Sequence, residues 1–340
     1  MFNVAVVGAT GAVGTTMLRV LEERGFPVTE LRPLASARSA GRTLDYLGKP
    51  FTVQELTTDS FAGIDIALFS AGGSRSRDFA PAAVDAGAVV IDNSSYFRMR
   101  PDVPLVVPEV NEDAIPAHQG IIANPNCVAA PLVVALKPIA DAVGLERVVV
   151  SSYQAVSGTG AAAIEELRAQ TGGNLAGDEP EPSVYPHPIA FNVLPHIGPF
   201  DENGYSDEEL KVIAETKKML GLPDLAVSAT CVRVPVFHGH SEAIHIETTE
   251  PIDATHVREL LMAAPGISLR DEPGDGVYPL PREAEGLDEV LVGRIRKDLS
   301  HPNGIALWLS SDNLRKGAAT NAVQIAESLV TNGWITPSTV

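Results

Sequence analysis

The sequence is poor in cysteine, in aromatic residues and in positive charge, and it contains no long apolar run. Two cysteines, Cys127 and Cys231, are too few for a disulfide framework and are typical of a reducing compartment. A net charge of −18 is unfavourable for binding nucleic acid, which requires a basic surface. No apolar run approaches the ~20 residues of a membrane span, and no export signal is visible at the N-terminus. We therefore expect a cytoplasmic protein with neither a nucleic-acid nor a membrane partner.

The first part of the chain alternates between strand and helix signals. Hydrophobic residues make up 45% of the 340 residues and charged ones 20%, which is ordinary for a globular protein long enough for two domains. The apolar run Val4–Val7 precedes apolar residues at helical spacing, and further strand signals follow at Glu30–Leu34, Ile64–Ser70 and Val89–Asp92. This alternation predicts a parallel sheet covered by helices on both faces, with ligands at the carboxyl ends of its strands.

The pattern changes after Arg147. The strand signals Val227–Val234 and Ala243–Glu247 predict a mixed or antiparallel sheet in a second domain. We also expect a strand at Val148–Ser152, a helix at Ala161–Gln170, an irregular region at Gly172–Pro199 and a last helix, Ala318–Leu329, that packs back on the first domain. The predicted domains are residues 1–126, completed by a C-terminal helix in residues 315–340, and residues 127–314.

A glycine-rich loop, Gly8–Gly14, lies between the first predicted strand and the first predicted helix. Its spacing is G-x-x-G-x-x-G rather than the G-x-G-x-x-G of many dinucleotide-binding loops. Glycines there allow a tight turn and bring backbone N–H groups at the helix start close to a pyrophosphate. The alternative is a turn of small residues without a ligand. The position at the start of a strand–helix–strand unit favours a nucleotide site.

The end of the second predicted strand bears on the choice between the two nicotinamide cofactors. An acidic residue there usually binds the ribose hydroxyls of NAD. The segment Leu34–Ser39 has no carboxylate, whereas Arg38 and the serines Ser36 and Ser39 can bind a 2′-phosphate. We therefore expect NADP, and the alternative for Arg38 is a solvated loop arginine.

The turn Asn124–Cys127 places a cysteine at the start of a predicted helix. A helix N-terminus stabilises a thiolate, and the polar, loop-forming neighbours of Cys127 favour a nucleophile. Cys231 lies in a predicted strand and is typical of a buried structural cysteine. A nucleophilic cysteine needs an acid–base partner, and His240 lies where a strand meets a glycine-containing loop. His238 and His240 have no further ligand set at metal-site spacing, so we expect no metal.

Seven segments, in order along nearly the whole chain, together resemble the aspartate-semialdehyde dehydrogenase family. They are the loop Gly8–Gly14 and the segments Asn93–Arg98, Asn124–Cys127, Gln154–Gly160, Asn192–His196, Glu208–Lys211 and Arg233–Glu242. Any one of them would be a weak signal, whereas their combination and order are highly specific.

The resemblance implies a fold and an activity. The implied fold is α/β, with a Rossmann-type doubly wound NADP-binding domain and an α+β catalytic and dimerisation domain with a mixed sheet, in a homodimer. The implied reaction is the reversible, NADPH-dependent conversion of L-aspartyl 4-phosphate to L-aspartate 4-semialdehyde and phosphate through a cysteine thioester. It serves the biosynthesis of lysine and diaminopimelate, threonine, methionine and isoleucine.

The resemblance also implies residue roles. Cys127 would be the nucleophile and His240 the acid–base catalyst, with Gln154 positioning the substrate near the thiol. The implied substrate contacts are Arg233 for the α-carboxylate, Glu208 for the ammonium group, and Arg98 and Lys211 for phosphate. The implied NADP contacts are Gly8, Thr10, Gly11, Ala12, Val13, Arg38, Ser39, Ser157, Gly158 and Asn313.

The sequence departs from the family pattern in two places. Val128 and Ala129 follow the cysteine where relatives often have hydroxyl residues, and Tyr96 stands where a small residue is common. Two alternative functions remain. One is a reductase of N-acetyl-glutamyl phosphate, which shares the overall plan, although a free ammonium group in the substrate explains an acidic Glu208. The other is a non-catalytic NADP-binding sensor, which would have no need of Cys127, Gln154 and His240 together.

Overall fold

Strand β1 lies in the middle of a six-stranded sheet, with strands added on both sides. The computed structural model describes residues 1–178 and 181–337. These form two compact units, the first from residues 1–126 together with the described residues from 318 onward, and the second from the described residues between 127 and 317. The elements of the first unit up to Asn126 are β1 Phe2–Val7, α1 Ala12–Glu23, β2 Val28–Ala35, β3 Thr43–Tyr46, β4 Lys49–Thr52, β5 Gln54–Glu55, β6 Ile66–Phe69, α2 Gly73–Asp85, β7 Val89–Asp92, α3 Pro108–Asn111 and β8 Ile121–Ala123.

The large sheet of the first unit is parallel throughout, in the order β5-β2-β1-β6-β7-β8. The chain builds outward from β1 to β2 and β5 on one side, and then from β6 to β8 on the other. Its order therefore reverses at the carboxyl end of β1, which is where open α/β sheets bind ligands. Val4–Val7 of β1 and Ile66–Phe69 of β6 are fully buried apolar runs, as in a sheet covered on both faces. The predicted doubly wound parallel sheet is confirmed.

The second unit contains a six-stranded mixed sheet in the order β10-β9-β11-β14-β13-β12. Its elements are α4 Ala129–Val143, β9 Leu145–Gln154, α5 Ala161–Ala176, α6 Asp207–Leu220, β10 Ala226–Arg233, β11 His240–Thr248, α7 Ala254–Ala263, β12 Ile267–Leu269, α8 Pro281–Ala284, β13 Val290–Lys297 and β14 Gly304–Ser311. β9 pairs with β10 in parallel and with β11 antiparallel, which confirms the predicted mixed sheet.

Two sequence predictions in this unit are wrong in detail. The helix predicted to end at Gln170 continues to Ala176, so part of the segment Gly172–Pro199 is helical, and residues 179–180 of that segment lie outside the described residues. Glycines cost an interior helix only about 1 kcal/mol each relative to alanine, which tertiary contacts outweigh. Strand β11 begins at His240 rather than Ala243, because His240 is already paired with Ser311 of β14.

The last helix, α9 (Thr320–Thr331), belongs to the first unit. It packs against α1, where Leu18 and Leu21 share an apolar cluster with Ile325 and Leu329. Arg24 and Glu327 add an ion pair of 2.8 Å between the two helices. The α-helix is shorter than the predicted range 315–340. Residues 315–319 form a π-helical turn before it, and the α-helix ends at Thr331. Residues 338–340 of the predicted range lie outside the described residues.

No helix within residues 1–178 and 181–337 combines the length and the apolar composition that a membrane crossing requires.

Candidate active site

The second unit brings Cys127 and His240 together, although they are 113 positions apart in the sequence. Cys127 is partly exposed and lies two residues before the first residue of α4, and the Sγ atom is 3.4 Å from Nε2 of His240. His240 is the first residue of β11 and is fully buried. Burial, and secondarily the charge of Arg233, hold the pKa of His240 well below its usual value. The imidazole beside the thiol is therefore neutral at physiological pH.

The backbone at Ala155 orients both His240 and Arg233. Its N–H donates to Nδ1 of His240 at 3.0 Å, and its carbonyl oxygen accepts from Nη1 of Arg233 at 2.8 Å. The guanidinium is buried, and its Nε has no hydrogen-bond partner within the described part of the chain. A buried donor without a partner is costly, so Nε is suited to receive an anionic ligand.

Gln154 ends strand β9, in the same row of the sheet as Arg233 of β10. It is buried, and its Nε2 donates to Ser152 Oγ at 3.1 Å and to Glu208 Oε1 at 3.3 Å. Glu208 lies in the first turn of α6, which Ser206 and Glu209 cap reciprocally. The carboxylate of Glu208 is thereby held next to the amide of Gln154.

The two predicted phosphate-binding cations have protein partners. Lys211 forms an ion pair with Asp207, one turn earlier on α6. Arg98, in the first unit, is buried and donates to the carbonyl oxygens of Asn124 at 2.9 Å and Asn93 at 2.7 Å. These bonds orient the guanidinium of Arg98, whereas Lys211 must exchange a carboxylate for any anion that it binds.

Three predicted cofactor contacts in the second unit lie around the loop that follows β9. Ser157 Oγ donates to Asn313 Oδ1 at 3.1 Å, and the Gly239 N–H donates to the same oxygen at 3.0 Å. The Nδ2 of Asn313 is buried without a partner among the described residues. A Cβ on Gly158 would lie 3.1 Å from Nη1 of Arg233 and 3.3 Å from the His240 ring, so a side chain there would crowd both. The loop after β9 therefore combines an amide donor, Nδ2 of Asn313, with a neighbouring position, Gly158, where a larger residue would crowd the site.

In the first unit, the carboxyl ends of β1, β2 and β6 surround a cavity of about 680 Å³. Four of the predicted contacts line it, namely Gly8, Thr10, Gly11 and Arg38, whereas Ala12, Val13 and Ser39 do not. Gly8 has a φ of +85° and approaches Ser70 so closely that a Cβ would lie 2.9 Å from its carbonyl carbon. The loop is therefore built around a residue without a side chain, and helix α1 begins directly behind it at Ala12.

Sequence reasoning missed two charged residues of this cavity, Glu55 and Arg75. The segment Leu34–Ser39 itself has no carboxylate, but Glu55 brings one to the same cavity from another strand. Glu55 ends the neighbouring two-residue strand β5 and is paired in register with Ala35 of β2. A strand so short has no detectable periodicity. Arg75, in the first turn of α2, follows the strand predicted at Ile64–Ser70 and could have been noted there.

The remaining sequence expectations concern Cys231, the metal and the departures from the family pattern. Cys231 is buried in β10, and burial raises the pKa of its thiol, which confirms a structural cysteine. Within the described ranges, no group of three or more His, Cys, Asp or Glu side chains could hold a metal ion. Val128 and Ala129 are fully buried, whereas Tyr96 is 44% exposed and contacts the edge of Phe97.

Comparison with known proteins gives the family. Residues 3–118 match the family described as semialdehyde dehydrogenase, NAD binding domain, and residues 136–316 match semialdehyde dehydrogenase, dimerisation domain. An aspartate-semialdehyde dehydrogenase of Aquifex aeolicus is 57% identical over 338 residues, which cover 98% of this chain and 99% of the relative. The chain belongs to the aspartate-semialdehyde dehydrogenase family.

Other members of the aspartate-semialdehyde dehydrogenase family agree with this assignment. The enzyme of Bacillus subtilis is 54% identical over 96% of this chain and 97% of its own length. Aspartate semialdehyde dehydrogenase II of Vibrio cholerae, whose crystal structure is a complex with ASA, is 53% identical and superposes with a TM-score of 0.95 over 98% of this chain and 99% of its own. The two-domain fold, with a parallel first sheet and a mixed second sheet, is thus the fold of this family.

Proposed function

We propose that this protein catalyses the reversible, NADPH-dependent conversion of L-aspartyl 4-phosphate to L-aspartate 4-semialdehyde and phosphate, with Cys127 as the nucleophile. The observation that carries the proposal is the approach of Cys127 Sγ to His240 Nε2, 3.4 Å, within a unit that also places Gln154, Glu208 and Arg233 around the same strand ends. A nucleophile, an oriented imidazole and two buried groups of opposite charge suit covalent chemistry on a small zwitterionic substrate.

The first step is attack of the Cys127 thiolate on the acyl carbon of the aspartyl phosphate. A C–S bond forms, the C–O bond to phosphate breaks, and inorganic phosphate leaves with the electron pair. Bound NADPH supplies the hydride that reduces the resulting thioester. Hydride addition leaves a tetrahedral oxyanion, which collapses as the C–S bond breaks, so that the aldehyde leaves and the thiolate is regenerated. His240 is the acid–base group: it shares the proton of Nε2, next to the sulfur, with the oxyanion and takes it back as the aldehyde forms.

Substrate recognition rests on opposite charges held in fixed positions. Arg233 binds the α-carboxylate, because its Nε is a buried donor without a partner within the described residues and its planar fork suits a carboxylate. Glu208 faces the ammonium group, and its hydrogen bond to Gln154 holds that carboxylate in place. Arg98 and Lys211 bind the phosphate, a role that their positive charge supports.

The cofactor is NADP rather than NAD. Gly8 and the start of α1 suit a pyrophosphate, and Arg38 in the same cavity suits a 2′-phosphate. In the second unit, Nδ2 of Asn313, which has no partner among the described residues, suits a carboxamide oxygen, with Ser157 and Gly158 alongside. The family member of Candida albicans, whose structure is described as a complex with NADP, is 27% identical with a TM-score of 0.77 over 98% of this chain and 99% of its own. That relationship supports the same cofactor here.

We assign cofactor binding to the first unit, and catalysis and homodimerisation to the second, because the matched families are described in these terms. The rings of Tyr153 and Trp308 contact each other on the second sheet, with centroids 5.3 Å apart and planes tilted by 42°. Tyr153 remains 38% exposed, which suits an apolar contact with a second copy. Neither cysteine forms a disulfide bond within the described residues, as expected in a reducing cytoplasm. The product serves the biosynthesis of lysine and diaminopimelate, threonine, methionine and isoleucine.

The alternative substrate is N-acetyl-glutamyl phosphate, whose acylated nitrogen carries no positive charge. The buried carboxylate of Glu208 favours the free ammonium of the aspartyl substrate, because an uncharged amide would leave that carboxylate without a cationic partner from the substrate. A non-catalytic NADP sensor would not require the contact between Cys127 and His240.

The test is phosphate-dependent formation of NADPH from NADP, measured with aspartate semialdehyde and with N-acetylglutamate semialdehyde. We expect turnover with the first aldehyde, dependence on phosphate, and little turnover with the second. Turnover only with the acetylated aldehyde would identify the rival reductase, and no turnover with either would favour a sensor.

A further inference from the structure

Three charged side chains line the cavity of the first unit, and only Arg38 among them is assigned a role in the proposed function. Arg38 follows β2, Glu55 ends β5, and Arg75 lies in the first turn of α2, directly after β6. The cavity thus has two guanidinium groups and one carboxylate. Arg75 and Glu55 are exposed, and neither forms an ion pair or a side-chain hydrogen bond within the described residues. Their charges are therefore available to a ligand.

The strand order explains why these three residues face the same space. The sequence β5-β2-β1-β6 puts β1 between β2 and β6, with the Gly8–Gly11 turn at its end. Because neighbouring strands lie about 4.8 Å apart, the ends of β2 and β6 are roughly 10 Å apart. Arg38 and Arg75 therefore approach the cavity from opposite sides of the glycine turn, and Glu55 approaches beyond β2.

The charges of these side chains act in opposite directions on the two cofactors. A 2′-phosphate is a multiply charged anion, which a guanidinium binds through two parallel N–H donors. A carboxylate at this edge accepts hydrogen bonds from the ribose hydroxyls of NAD and repels a 2′-phosphate. Glu55, in register with Ala35 at the end of β2, lies one strand away from the position where NAD-binding proteins carry that carboxylate.

We propose that Arg75 and Glu55 set the discrimination between NADP and NAD together with Arg38. Arg75 is the second cation for the 2′-phosphate, and Glu55 is the hydroxyl acceptor that preserves binding of the unphosphorylated ribose. The inference rests on the proposed nicotinamide cofactor, and it adds that the preference is a balance of opposing groups rather than the effect of one arginine.

The test uses binding of two cofactor fragments, without turnover. Adenosine 2′,5′-bisphosphate and 5′-AMP are titrated calorimetrically into the full-length chain and its variants. Arg75→Gln is expected to weaken the binding of the bisphosphate about tenfold, which corresponds to the loss of one charge-assisted hydrogen bond, and to change the affinity for AMP much less. Glu55→Gln is expected to strengthen the binding of the bisphosphate roughly threefold, because an exposed charge of the same sign as the phosphate is removed, and to weaken the binding of AMP.

Two neighbouring charges serve as matched controls. Arg77 lies two residues after Arg75 on α2 but pairs with Asp78 and does not line the cavity. Asp59 is an exposed carboxylate four residues after Glu55 and is also outside the cavity wall. Arg77→Gln and Asp59→Asn should leave the ratio of the two fragment affinities unchanged.

Failure of this inference is distinguishable from failure of the proposed cofactor. If the unmodified chain prefers AMP, the assignment of NADP is wrong, yet the inference stands when Glu55→Gln moves the ratio toward the bisphosphate. The inference is overturned if Arg75→Gln weakens both fragments equally or neither, or if Glu55→Gln leaves the ratio where the Asp59→Asn control leaves it.

Discussion

The backbone N–H of Ala155 donates a hydrogen bond to Nδ1 of His240, and this bond determines the tautomer of the imidazole. Because Nδ1 accepts, the proton of the neutral ring lies on Nε2, which is 3.4 Å from Cys127 Sγ. His240 therefore presents a donor to the sulfur, which stabilises a thiolate. A second proton on the ring would require Nδ1 to face the Ala155 amide as a donor, at a cost of about 1–3 kcal/mol for the lost hydrogen bond.

The first prediction is that His240 remains neutral, with its proton on Nε2, throughout the pH range of activity. Burial and the nearby Arg233 both lower its pKa, so the ring should not titrate near 6.5. Nitrogen-15 NMR of histidine-labelled protein reports tautomer and protonation directly. A titrating signal near pH 6.5 for His240, or a proton on Nδ1, would contradict the assigned hydrogen bond. The exposed His256 supplies a reference signal from a histidine outside the core.

The second prediction concerns the covalent intermediate. Cys127→Ala should abolish turnover while the protein still folds and binds NADPH, because neither property depends on the thiol. Cys127→Ser should retain at most a trace, since a hydroxyl is a poorer nucleophile and leaving group. The measurement is mass spectrometry of the unmodified enzyme incubated with the acyl phosphate without NADPH, and we expect an aspartyl adduct on the peptide that contains Cys127.

Cys231→Ser is the matched control for this prediction. Cys231 is buried with a raised thiol pKa, so it should neither form the adduct nor affect the rate. Its replacement should cost at most a modest amount of stability from a polar group in the core. An adduct on Cys231, or turnover by Cys127→Ala, would refute the proposed mechanism.

Local patterns in the sequence were sufficient for the elements but not for every charge near a site. Val4–Val7 and Val89–Ile91 are continuous apolar runs that identify buried strands, and the strand-like flanks of Cys231 predict its place in the core. The approach of Cys127 to His240 joins positions 113 residues apart, which no local pattern encodes and only the family resemblance implied. Glu55 was missed because a two-residue strand has no period to detect.

The third prediction separates the anion-binding roles. Arg98→Ala should weaken the binding of phosphate more than the binding of aspartate semialdehyde, and Arg233→Ala should do the reverse. The reason is that only Arg233 lies beside Gln154 and has an Nε without a partner among the described residues. Arg233→Lys should restore only part of the loss, since an ammonium lacks the planar fork. The Michaelis constants for phosphate and for the aldehyde are the measurement. Identical patterns in the two alanine variants would show that the roles are wrongly divided.

The fourth prediction concerns Asp207, which pairs with Lys211 on α6. If Lys211 binds phosphate, Asp207 competes with that phosphate for the same ammonium group. Asp207→Asn should therefore lower the Michaelis constant for phosphate severalfold, with little effect on the aldehyde, because an exposed ion pair contributes only about 0.2–1 kcal/mol. The reverse result, weaker phosphate binding in Asp207→Asn, would indicate that Asp207 orients Lys211 rather than competing for it.

The fifth prediction concerns Glu242, a fully buried residue of β11 whose carboxyl oxygens have no hydrogen-bond partner within the described part of the chain. Its neighbours on the paired strands, Ser152 and Leu309, carry no charge, and burial raises its pKa well above the usual value. The folded protein therefore keeps a proton that the unfolded chain releases near pH 4.3. The contribution of Glu242 to the free energy of unfolding is therefore fully present below that pH. It decreases as the pH rises toward the raised pKa, by up to about 1.4 kcal/mol per pH unit.

Glu242→Gln removes this dependence while keeping the size and neutrality of the protonated side chain. At pH 4.5 the melting temperature of the variant should be close to that of the unmodified protein. Between pH 5.5 and pH 8 it should exceed that of the unmodified protein by a margin that grows with pH, as measured by thermal denaturation at matched ionic strength. Glu247→Gln on the same strand is the control, because Glu247 is partly exposed and paired with Arg147 at 2.8 Å. That variant should show no such rising difference. If the two glutamine variants respond to pH in the same way, Glu242 is ionised in the folded protein and its burial is compensated by a partner such as water.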